Sequence, residues 1–154
     1  MSEFVMDDGD PTAPDGADQP KNKRRAKSAI LLSGIECFVT DDGTPMASVP
    51  HVKGHLEHMR IQSREFESYL RIRNFQTYGE GISAAALADL VALAAGKALA
   101  LGEVRTVWHR TAEHHGEIWI DQGGRDPGGE RRAVRITGEG WCITTAKDVP
   151  VTFL

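Results

Sequence analysis

The chain predicts an α+β fold: an N-terminal β-hairpin, two helices and a C-terminal antiparallel β-meander, together forming one domain over residues 28–154. Three observations carry that assignment. Asp41-Asp42-Gly43 separates two short apolar segments, and such residues tolerate the left-handed conformation a tight hairpin turn requires. Two capped apolar-periodic segments follow, opened by Ser63 and Ser83. Beyond Val104 the pattern changes to short strands separated by Gly-rich turns, the signature of strands joined to their sequence neighbours.

Residues 1–27 contain Asp, Gly, Pro and Lys with few apolar side chains. That composition buries too little apolar surface to offset the entropy of ordering, so a mobile tail is expected. It is acidic at first, with Glu3, Asp7, Asp8, Asp10, Asp15 and Asp18, and then basic, with Lys21, Lys23, Arg24, Arg25 and Lys27. Ile30-Leu31-Leu32 and Ile35 suggest one helical turn packed on the domain. Glu36 to Thr40 and Thr44 to Val49 are the hairpin strands, the second ended by Pro50, which has no N–H for the ladder.

Ser63 as N-cap, Glu65 and Glu67 in the first turn and Gly79 past the end define one helix. Phe66, Tyr69, Leu70, Ile72 and Phe75 form its apolar arc. A second helix runs from Ala84 to Leu101 between Ser83 and Gly102 and is apolar nearly all round, so it is expected to be buried on several sides or to face a partner. The predicted meander strands are Val104 to Arg110, Glu117 to Asp121, Arg132 to Thr137 and Trp141 to Thr145, with a last extended piece at Val151 to Phe153. Ile118, Ile120, Val134 and Ile136 are taken as its core-facing side.

The whole chain has a net charge of −4, and the folded part, with 16 acidic and 13 basic residues, has no strong overall field, so nucleic-acid affinity would require a local patch. No apolar run approaches the roughly 20 residues that span a bilayer, and the acidic N-terminus is unlike a secretory signal. No membrane association and a cytoplasmic location are therefore expected. Cys37 and Cys142 lie in predicted strands, outside any CxxC pair, and read as buried free thiols.

Catalytic motifs are sparse. Gly123-Gly124 to Gly128-Gly129 lacks the GK[ST] ending of a phosphate-binding loop and reads as a strand connection. His51, His55 and His58 would converge on a helix, but Pro50 and Gly54 oppose one, no HExxH pattern is present, and Glu57 falls on the wrong side of that spacing. No metal, cofactor or catalytic residue is therefore assigned. The best case for ligand contact is nucleic acid on the meander, where basic residues stand beside Trp108, Trp119 and Trp141: Arg105, Arg110, Arg131, Arg132 and Arg135 to neutralise phosphates, and Trp108 or Trp119, if exposed, to stack on bases. Alternation already places Arg132 on the face opposite Arg131 and Arg135.

The succession Cys37-Phe38 to Asp42-Gly43, Ile61-Gln62-Ser63-Arg64-Glu65-Phe66, Val107-Trp108-His109-Arg110, His115-Gly116-Glu117-Ile118-Trp119-Ile120-Asp121, Ala133-Val134-Arg135-Ile136-Thr137 and Pro150-Val151-Thr152-Phe153 carries a family resemblance. It resembles the region preceding the P-loop ATPase domain in phage- and plasmid-borne replication proteins of the primase-helicase kind, over roughly residues 35–154. The resemblance implies a noncatalytic accessory module of a mobile-element DNA-replication protein, contacting nucleic acid or a P-loop ATPase domain in cis or in trans. There is no Walker lysine, so no ATP hydrolysis carries over. An alternative is a protein-interaction or oligomerisation domain docking through helix 84–101, with Leu90, Leu93 and Lys97 as partner-binding residues. A small metal-dependent hydrolase using His51, His55 or His58 is the third reading.

Overall fold

Ten short strands and three helices make up the computed structural model, which describes residues 19–52, 54–125 and 130–154. Helix α1 spans Gln19–Leu31 and is followed by strands β1 Glu36–Thr40, β2 Pro45–Pro50 and β3 Leu56–Arg60. Helices α2 Arg64–Tyr78 and α3 Ala84–Leu101 come next. The C-terminal part contains β4 Val104–Arg105, β5 Val107–Trp108, β6 Thr111–His114, β7 Glu117–Arg125, β8 Arg131–Thr137, β9 Gly140–Thr145 and β10 Thr152–Phe153. The fold is α+β, with an antiparallel C-terminal sheet as the sequence predicts.

The first hairpin forms where the turn residues place it. Gly43 adopts φ 81°, and Asp42 Oδ1 accepts from Thr44 N at 3.1 Å and from the Thr40 hydroxyl. Those hydrogen bonds, led by the one from Thr40, hold the Asp42 carboxyl below its usual pKa. β3 was not read from the sequence. It pairs antiparallel with β2, Ser48 opposite His58 and Val49 opposite Glu57, and completes a four-stranded sheet ordered β3-β2-β1-β4. α1 reaches back to Gln19, well before the single turn expected near Ile30 and into the segment read as a mobile tail; residues 1–18 lie outside the described residues.

Both predicted helices match their caps. Ser63 Oγ accepts from Phe66 N at 3.2 Å, and Gly79 ends α2 at φ 70°. Ser83 Oγ accepts from Ala86 N at 3.3 Å. Gly102 has a different role from Gly79: its φ is −73°, open to any residue. A side chain is excluded because its Cβ would lie 2.9 Å from the Cα of Phe38 and against Ala98 O. α3 therefore packs backbone to backbone on β1 at this point.

The main core lies between the first sheet and the helices and contains Leu31, Val49, Ile61, Phe66, Leu70 and Leu87 among others. A second, smaller core joins Ala112, Trp119 and Phe153 to Trp108, Val149 and Val151. The segment read as one strand over 104–110 is divided: β4 runs parallel to β1, and β5 runs parallel to β10. β6 occupies part of the expected 113–116 turn, which narrows to His115 at φ 52° and Gly116 at φ 77°, the two left-handed positions of a two-residue hairpin loop.

The facing of the meander is the reverse of the expectation. Trp119 and Ala133 are buried, on the side that packs against Phe153. Ile118, Ile120, Val134 and Ile136 occupy the other side, where Ile118 is 43 % exposed. The alternation was read correctly but its phase was not, because isoleucine and valine outrank alanine as core markers whereas the small alanines are what allow the close approach of Trp119 and Phe153. Cys142 is exposed and Cys37 only partly buried, so the expectation of two buried thiols fails at Cys142. Burial still pushes the Cys37 thiol above its usual pKa.

The two layers approach each other around His58, Asp121 and Arg131, which line one small cavity with Leu56 and Phe153. Burial, and then the positive charges of Arg131 and Arg105, push His58 down to about 4, opposed by Glu36. Its Nδ1 lies 2.9 Å from Ser48 Oγ, in a hydrogen bond. The unfolded chain takes up this proton near pH 6.5, before the folded chain does, so the stability His58 contributes is present above 6.5 and declines as pH falls toward 4. The loss is expected to reach about 2 kcal/mol by pH 5. Urea unfolding at pH 7 and pH 5 tests this: the difference should shrink in His58→Gln, and an unchanged difference would refute it.

Candidate interaction surface

The arginines proposed for nucleic acid do not form one basic face. Arg105 lies on β4 in the first sheet, 3.2 Å from Glu36 and 3.3 Å from Glu103, with its guanidinium 5.1 Å from the Phe38 ring centroid. Arg131 is bidentate to the buried Asp121 at 3.1 and 2.6 Å, and also donates to Leu154 O at 2.7 Å. Arg135 grips Glu117 with both Nε and Nη2, and its guanidinium lies 5.6 Å from the Trp119 ring centroid. The hydrogen bond to Arg135 holds the Glu117 carboxyl below its usual range.

Three paired arginines have most of their charge neutralised locally, which lowers their attraction for phosphate. Arg110 is exposed, with its guanidinium against Gly123, and Arg132 is exposed on the outer side of the sheet. Trp119 is only 4 % exposed, so the condition for its stacking on a base is not met. Trp108 is half-buried against the second core. Trp141, 71 % exposed, is the tryptophan most open to solvent.

Two exposed surfaces among the described residues are apolar. On the outer side of the meander, cross-strand register aligns Ile118, Ile136 and Trp141 in one row and Ile120, Val134 and Ile143 in the next. Trp141 and Ile143, at 71 % and 51 % exposure, mark this side as open to solvent. Neighbouring rows on one face are within side-chain contact, so the six residues form a continuous patch.

α3 presents the second such surface. Its buried residues are Leu87, Leu90, Ala94, Ala95 and Ala98, facing β1, β2 and α2. The remaining face carries Ala85, Ala88, Ala92, Leu93, Gly96 and Leu99, all exposed. Leu90, at 3 % exposure, is thereby a core residue, a correction to its assignment as partner-binding; Leu93, at 52 %, and Lys97 are exposed as that assignment requires. By length and composition α3 is also long and apolar enough to cross a membrane, contrary to the sequence expectation, although one side packs on the sheet.

The hairpin between β2 and β3 gathers a cluster that the sequence reading did not. His51, His55 and Glu57 each bring a ligand atom within 4.8 Å of the others. The cluster follows strand spacing, not helical spacing. On a strand, residues two apart share a face, so His55 and Glu57 lie together and His58 points to the opposite side. The signal available in the sequence was the pair of residues His55 and Glu57 next to a Gly54 turn.

No protein-family model matches the chain, and neither a curated protein nor a solved structure is found to be similar to it.

Proposed function

We propose that the chain is a noncatalytic interaction module that docks through the outer face of α3, with a second copy of itself as the occupant. The observation that carries this reading is the composition of that face over 18 residues. Leaving so much alanine, leucine and glycine in water is costly in proportion to the apolar area, and covering it is favourable by about 25 cal/mol per Å². Small side chains also let two helix axes approach closely.

Charge selects the second copy. Asp89 and Lys97 are the charged residues of α3, placed four positions on either side of Leu93. In an antiparallel pair with its twofold axis near Leu93, each Asp89 meets Lys97 of the other copy, so one surface is complementary to itself. A parallel pair would instead align Asp89 with Asp89.

In the setting implied by the primase-helicase resemblance, such a dimer would serve as an accessory element that positions a P-loop ATPase or its DNA. The nucleic-acid reading rests on Arg110 and on Arg24 and Arg25 at α1, and the ion pairs of Lys27, Arg105, Arg131 and Arg135 weaken it.

Sedimentation velocity over a concentration series tests the proposal. Mass is expected to rise toward a dimer with concentration, to stay monomeric in Leu93→Glu with an unchanged circular dichroism spectrum, and to recover in a charge-swapped Asp89→Lys/Lys97→Asp double variant. A monomer at all concentrations, or a dimer abolished by Ile143→Asp and untouched by Leu93→Glu, would overturn the α3 assignment. Salt-sensitive oligonucleotide binding that survives removal of residues 1–18, which leaves α1 in place, would restore the nucleic-acid reading instead.

A further inference from the structure

The β2–β3 hairpin gathers three side chains, His51, His55 and Glu57, of the types that ligate transition-metal ions. His51 follows β2, and His55 immediately precedes β3. The hairpin is closed by hydrogen bonds from His51 N to His55 O and from Gly54 N to His51 O, both 2.9 Å. Gly54, at φ 81°, takes the left-handed conformation the bend demands. These backbone constraints set the two imidazoles face to face, ring centroids 4.4 Å apart and planes 28° from parallel. Two residues beyond His55 on the same face, Glu57 Oε1 lies 3.9 Å from His55 Nε2.

We infer that His51, His55 and Glu57 bind one divalent zinc-type ion. Three atoms mutually within 4.8 Å share a central point no more than about 2.8 Å from each, against zinc–ligand distances of about 2.0–2.2 Å. Closing that gap takes under 1 Å of movement per ligand atom, and because an imidazole donates in its ring plane, one ring must also turn out of the 28° stack about its broad χ2 torsion. Two imidazoles and a carboxylate are the donor set that zinc uses with a fourth, open position, and the nitrogen donors disfavour calcium and magnesium.

The burial of the groups fits the same role. His55 is buried, with 2 % of its side chain exposed, while His51 and Glu57 are partly exposed. The innermost ligand is thus held by the fold, and the outer two reach solvent. His58 does not contribute, since it is hydrogen-bonded to Ser48 on the opposite face. The ion would clip the end of the β2–β3 hairpin, joining residues four and six positions apart in sequence, without requiring α3 or a second copy.

Zinc chloride titrated calorimetrically into the chelator-stripped, dialysed full chain tests the inference. One ion per chain is expected, with a rise in unfolding midpoint. His51→Ala and Glu57→Gln, chosen because both side chains are partly exposed and the apo variants can be checked for wild-type circular dichroism, should each weaken binding tenfold or more and lose the midpoint rise. His114→Ala/His115→Ala should bind as wild type does. Absence of stoichiometric binding, wild-type affinity in both His51→Ala and Glu57→Gln, or binding removed by the His114/His115 double substitution would overturn it. Because none of these outcomes depends on dimer formation, the result stands apart from the fate of the α3 interface.

Discussion

Phe66→Ala is expected to destabilise the protein by about 4 kcal/mol, whereas Phe75→Ala should shift stability by no more than about 0.5 kcal/mol. Both phenylalanines lie on α2 and belong to the same apolar arc in the sequence. The structure separates them completely: Phe66 is fully buried, with Leu70 and Asn74 beside it on the inner face, and Phe75 is 63 % exposed. Removing the ring from Phe66 loses its transfer free energy and leaves a void among neighbours such as Leu70 and Ile61 that belong to a close-packed core. Asn74 also donates to Glu80 O at 2.7 Å and pins the α2–α3 turn, so the neighbourhood has little freedom to collapse into the cavity. Urea unfolding midpoints of the two variants check the contrast, and equal losses at both positions would contradict this packing.

Arg131→Ala is the second large effect, a loss of about 3 kcal/mol. Asp121 is 5 % exposed and takes both of its guanidinium hydrogen bonds from Arg131. Removing the arginine strands a buried carboxylate, and the cost is that of an uncompensated charge rather than the net worth of the pair. It also releases the carbonyl of Leu154 and with it the end of β10, where Phe153 fills the second core. Asp121→Asn/Arg131→Met should therefore recover most of the loss, because both charges are withdrawn together. By contrast Lys27→Ala, which breaks the exposed pair with Glu80, should cost less than about 1 kcal/mol. If oligonucleotide binding rather than unfolding responded to Arg131→Ala, the residue would belong to a contact surface and not to the core.

Arg131 shows why the candidate basic face was hard to judge from sequence. Its spacing from Arg132 and Arg135 revealed the alternation, but the ion pairs Arg131–Asp121 and Arg135–Glu117 join residues 10 and 18 positions apart. Neither separation corresponds to a local rule. The exposed apolar residues were hard to judge for the opposite reason: the hydrophobic pattern of Ile118, Ile120, Val134 and Ile136 says that one face is apolar, not which face the chain later covers.

Local chemistry alone was enough for the first hairpin, the limits of α2 and α3 and the antiparallel order of the C-terminal strands. Their causes lie within a few residues: a left-handed Gly43, the Ser63 and Ser83 caps, and short Gly-containing turns. Long-range packing settled the remainder. It recruited Leu56–Arg60 as a third strand against β2, and turned Trp119 inward and Trp141 outward. It left one side of α3 uncovered and brought His51, His55 and Glu57 together. Each of those outcomes depends on which faces the fold has enough apolar surface to cover, a property of the whole chain that no short window of residues contains.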